Sequence, residues 1–315
     1  MKGKLLLFTL VASTVVLVVA TAWEQTDFVA ETIYAYKGGP IPPDPLGYFI
    51  EWPVLAWGMV THASYLQIEL ELAFCWLVVA WVLLAGAGVQ AYQRVYVLLG
   101  PPVLMAFGQG HAVLVVASVL AIAAIVHVAR ASWWAVLLMA AAIALRADMV
   151  VFAPVVVLYA PNRRAAAQRL ALLAGVVVLL LVAVVYEPLS LGALTGSVFH
   201  VGRVTSPASL WSFAWGGVLA VNWAHLVIPL QLGLVAVVFR VAGFRALSAA
   251  VVVGAFRATL DPWFVVYYLT PAWMALVMWV RERAELTKRC AVCRLAMREH
   301  GYVDRTHHIY VRGSL

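Results

Sequence analysis

Charge is scarce in this chain: Asp, Glu, Lys and Arg make up 11% of its 315 residues, where a soluble domain carries about a quarter. That shortage excludes a water-solvated surface over most of the length. Cysteine is scarce too: there are three, and Cys75 sits inside an apolar run, which excludes a disulfide framework. The long apolar runs lack period-two alternation, so a transmembrane barrel is excluded in favour of helices. After the first run, 5–22, the sequence Trp23-Glu24-Gln25 lacks a small-residue cleavage site. The run therefore reads as a retained signal anchor.

What the chain has in abundance is apolar residues, at 65%, with a mean hydropathy of +0.97. Runs long enough to cross about 30 Å of hydrocarbon recur, and lipid forces backbone groups to pair internally. The expectation is an all-α, polytopic helical membrane protein with about 10 transmembrane or half-membrane helices. They fall near 5–22, 68–89, 95–107, 112–129, 133–145, 149–159, 170–186, 213–238, 246–260 and 264–280. Residues 1–280 form the multi-pass domain, with outer loops 23–67 and 187–212, and 281–315 form a basic cytoplasmic tail.

The charges orient this array. With both termini in the cytoplasm of a cell-membrane protein, 17 of the 21 basic residues lie inside, as the positive-inside rule favours. Ten of the 14 acidic residues then lie at or near the outer face. The net charge of +7 is thus a matter of placement across a membrane and its lipids rather than a sign of a nucleic-acid partner. Short loops leave no room for a soluble catalytic domain, so chemistry belongs at the outer surface or within the bundle.

The first outer loop concentrates carboxylates, aromatics and prolines. Asp27 and Glu31 are four residues apart, so a helix there puts both carboxylates on one face, where one titrates upward or the pair shares a cation. The plain alternative is a solvated face anchored by interfacial aromatics. Glu51-Trp52-Pro53 suits a helix start with proline at its first position, followed by a short amphipathic segment from Val54 to Tyr65.

Arg146 and Asp148 interrupt an apolar stretch, and charges at that depth face water or a partner. They are either functional or a simple cap pairing at an outer turn. His200 and Arg203 share a helical face before Ser206-Pro207, where a guanidinium suits either bidentate phosphate contact or snorkelling to headgroups. Arg257 and Asp261 read as an ion pair at a helix end. Glu69 and Glu71, two apart, read as solvated surface rather than a cation site. In the tail, Cys290 and Cys293 precede His300, His307 and His308; these could bind zinc, but the spacing misses the usual finger pattern.

The order of features resembles the multi-pass polyprenol-phosphate-sugar-dependent glycosyltransferases of the GT-C fold, in particular prokaryotic mannosyltransferase-like members. The matching residues are Asp27 just past the first helix, Tyr34 or Tyr36, Gly39-Pro40, and Glu51-Trp52-Pro53-Val54. They continue with Arg146 ahead of Arg163-Arg164, Ser209-Leu210-Trp211-Ser212, and Asp261-Pro262-Trp263-Phe264 before Tyr267 and Pro271. The series spans about 23–280, with Trp52, Val54, Arg146 and Trp263 standing where relatives carry other residues.

The resemblance implies transfer of a hexose, mannose-like, from a polyprenyl-phosphate donor to a glycan, lipid or protein acceptor outside the membrane. It implies Asp27 as base, with Glu31 or Glu51 as substitute, Arg203 and Arg146 on the donor phosphate with His200 beside them, and Trp52, Tyr34 and Tyr36 stacking on sugars. No cofactor is required, although a divalent cation is compatible with the carboxylates. The rival expectations are a transporter, which also keeps buried charges, and a non-catalytic membrane subunit of a larger assembly.

Overall fold

The computed structural model describes residues 53–54, 56–58, 60–63, 65–108, 111–128, 133–184, 224–260 and 269–299. Those residues are mostly helical and carry no strand, in keeping with the all-α expectation. Described positions from 53 to 60 are helical, as the proline-started segment predicts, and His62 ends the segment in the left-handed region at φ 55°. The Thr61 hydroxyl donates to Trp57 O at 2.9 Å and closes that last turn.

The chain then runs through α1 (Tyr65–Gly86), α2 (Ala91–Leu98), α3 (Pro101–Gly108), α4 (Ala112–Val128) and α5 (Trp134–Leu145). A 3-10 turn (Ala147–Phe152) leads into α6 (Ala153–Leu158), followed by α7 (Arg163–Val184). The last helices are α8 (Ala224–Val241), α9 (Ala246–Leu260) and α10 (Thr270–Glu299).

The expected span 95–107 is in fact two eight-residue helices meeting at Leu99-Gly100. The cause is local: Pro101 and Pro102 cannot donate to a preceding turn, and a proline pushes the residue before it away from helical geometry. Gly100 also serves packing, because a Cβ there would sit 2.0 Å from Trp273 Nε1. That indole instead donates to Tyr96 O at 3.2 Å, tying α10 to α2. Beside it, the Thr270 hydroxyl donates to Pro102 O at 3.1 Å. The boundary expected at 280 falls inside a helix that continues to Glu299.

Helix α4 is the hub. Fifteen of its residues are buried, on every side, because α1, α5, α9 and α10 all pack against it. A helix apolar all round belongs at a core. Its neighbour α1 buries Ile68, Leu72, Trp76, Ala80 and Leu84, a four-residue spacing that makes one stripe. Helices α9 and α10 approach closely, with a Cβ on Gly254 meeting the Ala272 backbone at 3.0 Å.

Among the described residues, no helix is long and apolar enough to cross a membrane.

Candidate functional site

The two ends of α4 are chemically different. Its C-terminal end meets a basic rim: Arg169, 5% exposed, donates to Val128 O at 3.4 Å and to Val156 O at 3.0 Å. On the same rim Arg240 donates to Leu158 O and stacks over the Tyr159 ring, whose hydroxyl donates to Phe244 O. Arg245 pairs with Glu282. These contacts gather Arg169, Arg240 and Arg245 at one end, and Arg163 and Arg164 open α7 just after the Tyr159 turn that Arg240 stacks on.

The other end of α4 begins at His111, whose carbonyl accepts from Leu114 N at 3.0 Å and starts the helix. Its amide reaches back to Ala106 O, closing a tight turn after α3. The ring is half-buried, with Nδ1 shut off from solvent. Arg146 lies close enough to act on it electrostatically. Burial, and secondarily the Arg146 guanidinium, push the His111 imidazole down to about 3, so it is neutral at physiological pH.

Arg146 stands where α5 stops. Its backbone is extended, at φ −151° and ψ 109°, and it both caps α5 and opens the 3-10 turn. Nothing in the run of apolar residues before it breaks a helix, whereas an extended residue allows the chain to reverse into the turn and α6. The guanidinium is half-buried. Arg257, 5% exposed with Nη1 shut off from solvent, lies on α9, the helix that packs against the same 3-10 turn. Arg146 and Arg257 thus lie on a turn and a helix that pack together, in the half of the bundle away from the basic rim, and a guanidinium there suits an anion.

Of the residues expected from the sequence, Arg146 is therefore placed, on a backbone break within electrostatic reach of His111. Asp148 lies in the 3-10 turn, with its side chain outside the described set. Asp27, Glu31, Tyr34, Tyr36, Glu51, Trp52, His200, Arg203, Asp261, His300 and His307 lie outside the described residues. Cys290 and Cys293 lie on α10, and Glu71 is exposed on α1. His111 was not singled out in the sequence, although Gly108-Gln109-Gly110-His111 is a polar break between apolar runs and signals an outer turn.

The buried imidazole makes stability depend on pH. A histidine whose folded value lies below its unfolded one, ordinarily about 6.5, contributes fully above 6.5 and loses that contribution as pH falls towards 3. Detergent-purified protein is expected to lose at most about 1.4 kcal/mol per pH unit below 6.5 from this group. Thermal melts between pH 6.5 and 5 should show that slope, and His111→Gln should flatten it; an equal slope in the variant would assign the loss to other groups.

Comparison with family models, curated proteins and solved structures finds no match to this chain in any of the three.

Proposed function

We propose that this chain is a polytopic membrane glycosyltransferase of GT-C-like architecture, moving a mannose-like hexose from a polyprenyl-phosphate donor to an acceptor at the outer face. The observation that carries the reading is Arg146: a half-buried guanidinium at a backbone break, within electrostatic reach of the His111 imidazole, at the end of the bundle away from the basic rim. A leaving phosphate is the kind of charge such a group stabilises as it develops.

Embedding in a membrane draws support from the outside of the bundle. Opposite the buried stripe of α1, Leu70, Phe74, Val78 and Val82 form a second stripe at the same spacing and are 45–67% exposed; elsewhere Leu179 and Val241 are exposed at 65% and 82%. Monomeric soluble proteins rarely expose apolar surface so continuously; lipid tails are its natural solvent. The ten-helix count, the cytoplasmic termini and the cell-membrane location extend this reading along the chain.

In the mechanism implied, a carboxylate takes the acceptor hydroxyl proton, the oxygen attacks the anomeric carbon, and the donor's bond to phosphate breaks with inversion. Asp27 is the base, with Glu31 or Glu51 as the alternative. Arg146 and Arg203, with His200, hold the phosphate, while Tyr34, Tyr36 and Trp52 stack on sugar. No cofactor is needed for this step.

The test is transfer of radiolabelled sugar from polyprenyl-phosphate-mannose and -glucose to membrane acceptors by purified protein. Arg146→Gln is expected to lower transfer about 100-fold, the usual scale for removing one preorganised charge-stabilising donor. Undiminished transfer in that variant removes Arg146 from the site. A transporter reading draws on the breaks at Leu99-Gly100 and at Arg146, because transporter sites are built at interrupted helices. Binding without transfer from any donor would favour it.

A further inference from the structure

Among the described residues, no carboxylate pairs with three exposed arginines at the basic rim. Arg163 and Arg164 occupy the first turn of α7, and Arg240 lies near the end of α8. The sequence holds no Asp or Glu from 149 to 186 or from 188 to 260, and the rim's Glu282 is engaged by Arg245. The first turn of a helix is also the end that disfavours cations, so the Arg163-Arg164 pair gains from a bound anion. Arg240 is fixed rather than free to swing, through its bond to Leu158 O and its stacking on Tyr159. That anchors it to the turn that leads, four residues on, into Arg163.

Large aromatics lie exposed around the same end. Phe244, 52% exposed, accepts the Tyr159 hydroxyl at its carbonyl. Trp133 and Trp134, at 58% and 64%, start α5, just after the stretch that follows Val128, the residue held by Arg169. Cations together with exposed tryptophans mark the headgroup level of a bilayer. Guanidinium groups recognise phosphate through paired hydrogen bonds.

We propose that the rim between the turns at 159–162 and 242–245 is a binding site for an anionic phospholipid, whose headgroup phosphate is held by Arg163, Arg164 and Arg240. The site rests on the membrane reading above, but not on glycosyl transfer. Its chemistry is a phosphodiester bearing net negative charge, with acyl chains lying against the apolar flank that Leu170 and Val241 expose at 57% and 82%.

The test uses full-length protein in neutral detergent, titrated with phosphatidylglycerol, phosphatidylcholine or inorganic phosphate while thermal unfolding is followed by tryptophan fluorescence. Phosphatidylglycerol is expected to raise the midpoint saturably, and the other two to leave it unmoved. The variant Arg163→Gln/Arg164→Gln changes only exposed side chains and is expected to fold. It should bind phosphatidylglycerol about 30-fold more weakly, at about 5-fold per arginine near a lipid surface. Equal affinity in the variant, no preference over phosphatidylcholine, or the same stabilisation by inorganic phosphate would overturn the site. Alkaline carbonate washing of cell membranes separates the two failures. Release into the supernatant sinks the membrane reading and the lipid site with it, whereas retention in the pellet without lipid preference sinks the site alone.

Discussion

Asp27→Asn is expected to abolish sugar transfer from the polyprenyl-phosphate donor, by roughly 100- to 10,000-fold, while leaving the protein folded. The size follows from losing a positioned general base; an amide keeps the shape of the carboxylate but cannot take the acceptor proton. Asp27 carries this role by resemblance, as the first aspartate past the first apolar run. Its neighbours Glu31 and Glu51 give the measurement its discrimination. If Asp27→Asn retains transfer and Glu51→Gln loses it, the base is Glu51; if all three substitutions are silent in a protein that transfers, the base lies elsewhere. A matched elution profile and melting temperature for the variant separates lost chemistry from lost structure.

The largest structural effect is expected at Gly100. A Cβ there meets Trp273 at 2.0, 2.4 and 2.7 Å, distances that no adjustment of a few tenths of an ångström relieves. Gly100→Val must move the indole and break its hydrogen bond to Tyr96 O. Overpacking costs about 1–3 kcal/mol, and the lost hydrogen bond of the half-buried indole costs about 0.5–1.5 kcal/mol more. The sum is a large share of the 5–15 kcal/mol that holds a typical domain folded. Heating followed by size-exclusion chromatography should show early loss of the monodisperse peak. Adding Trp273→Leu to Gly100→Val should recover part of the stability, because the two side chains compete for one space. Gly175→Ala is the control: nothing lies within 4 Å of its Cβ position, and the change should stabilise helix α7 by about 0.5–1 kcal/mol. No rescue in the double variant would mean that Gly100 matters for its backbone rather than for Trp273.

Most helix positions were legible because apolar run length is a one-dimensional signal. The runs 68–89, 112–129, 133–145 and 246–260 each coincide with a helix to within a few residues. Run length failed where stereochemistry outranks hydropathy. The stretch 95–107 is continuous in polarity, but Gly100-Pro101-Pro102 divides it, and the stretch 149–159 begins as a 3-10 turn. Helix α7 starts at Arg163 rather than 170, because backbone bonding does not stop where hydrophobicity does. The segment after 280 is charged yet stays helical to Glu299 for the same reason.

Part of the site was legible for a related reason. Arg146 stood out as a charge in an apolar run, which is a local contrast. His111 did not stand out, because a single histidine between apolar runs carries little contrast, and its neighbour Arg146 is 35 positions away in the chain. The basic rim lies between these extremes. The sequence put its arginines on one side by counting loops, and contacts between α7, the turn after α6 and the end of α8 bring them together.

The sequence by itself therefore determined the helical class and the approximate positions of several helices, since both depend on the local density of apolar groups. Only the tertiary structure decided that α4 is the buried hub, that Gly100 must leave room for Trp273, and that Arg146 comes within electrostatic reach of His111. Those facts depend on which surfaces meet at close range, and a pairing between residues distant in the chain is fixed by packing and desolvation, which no local stretch of sequence encodes.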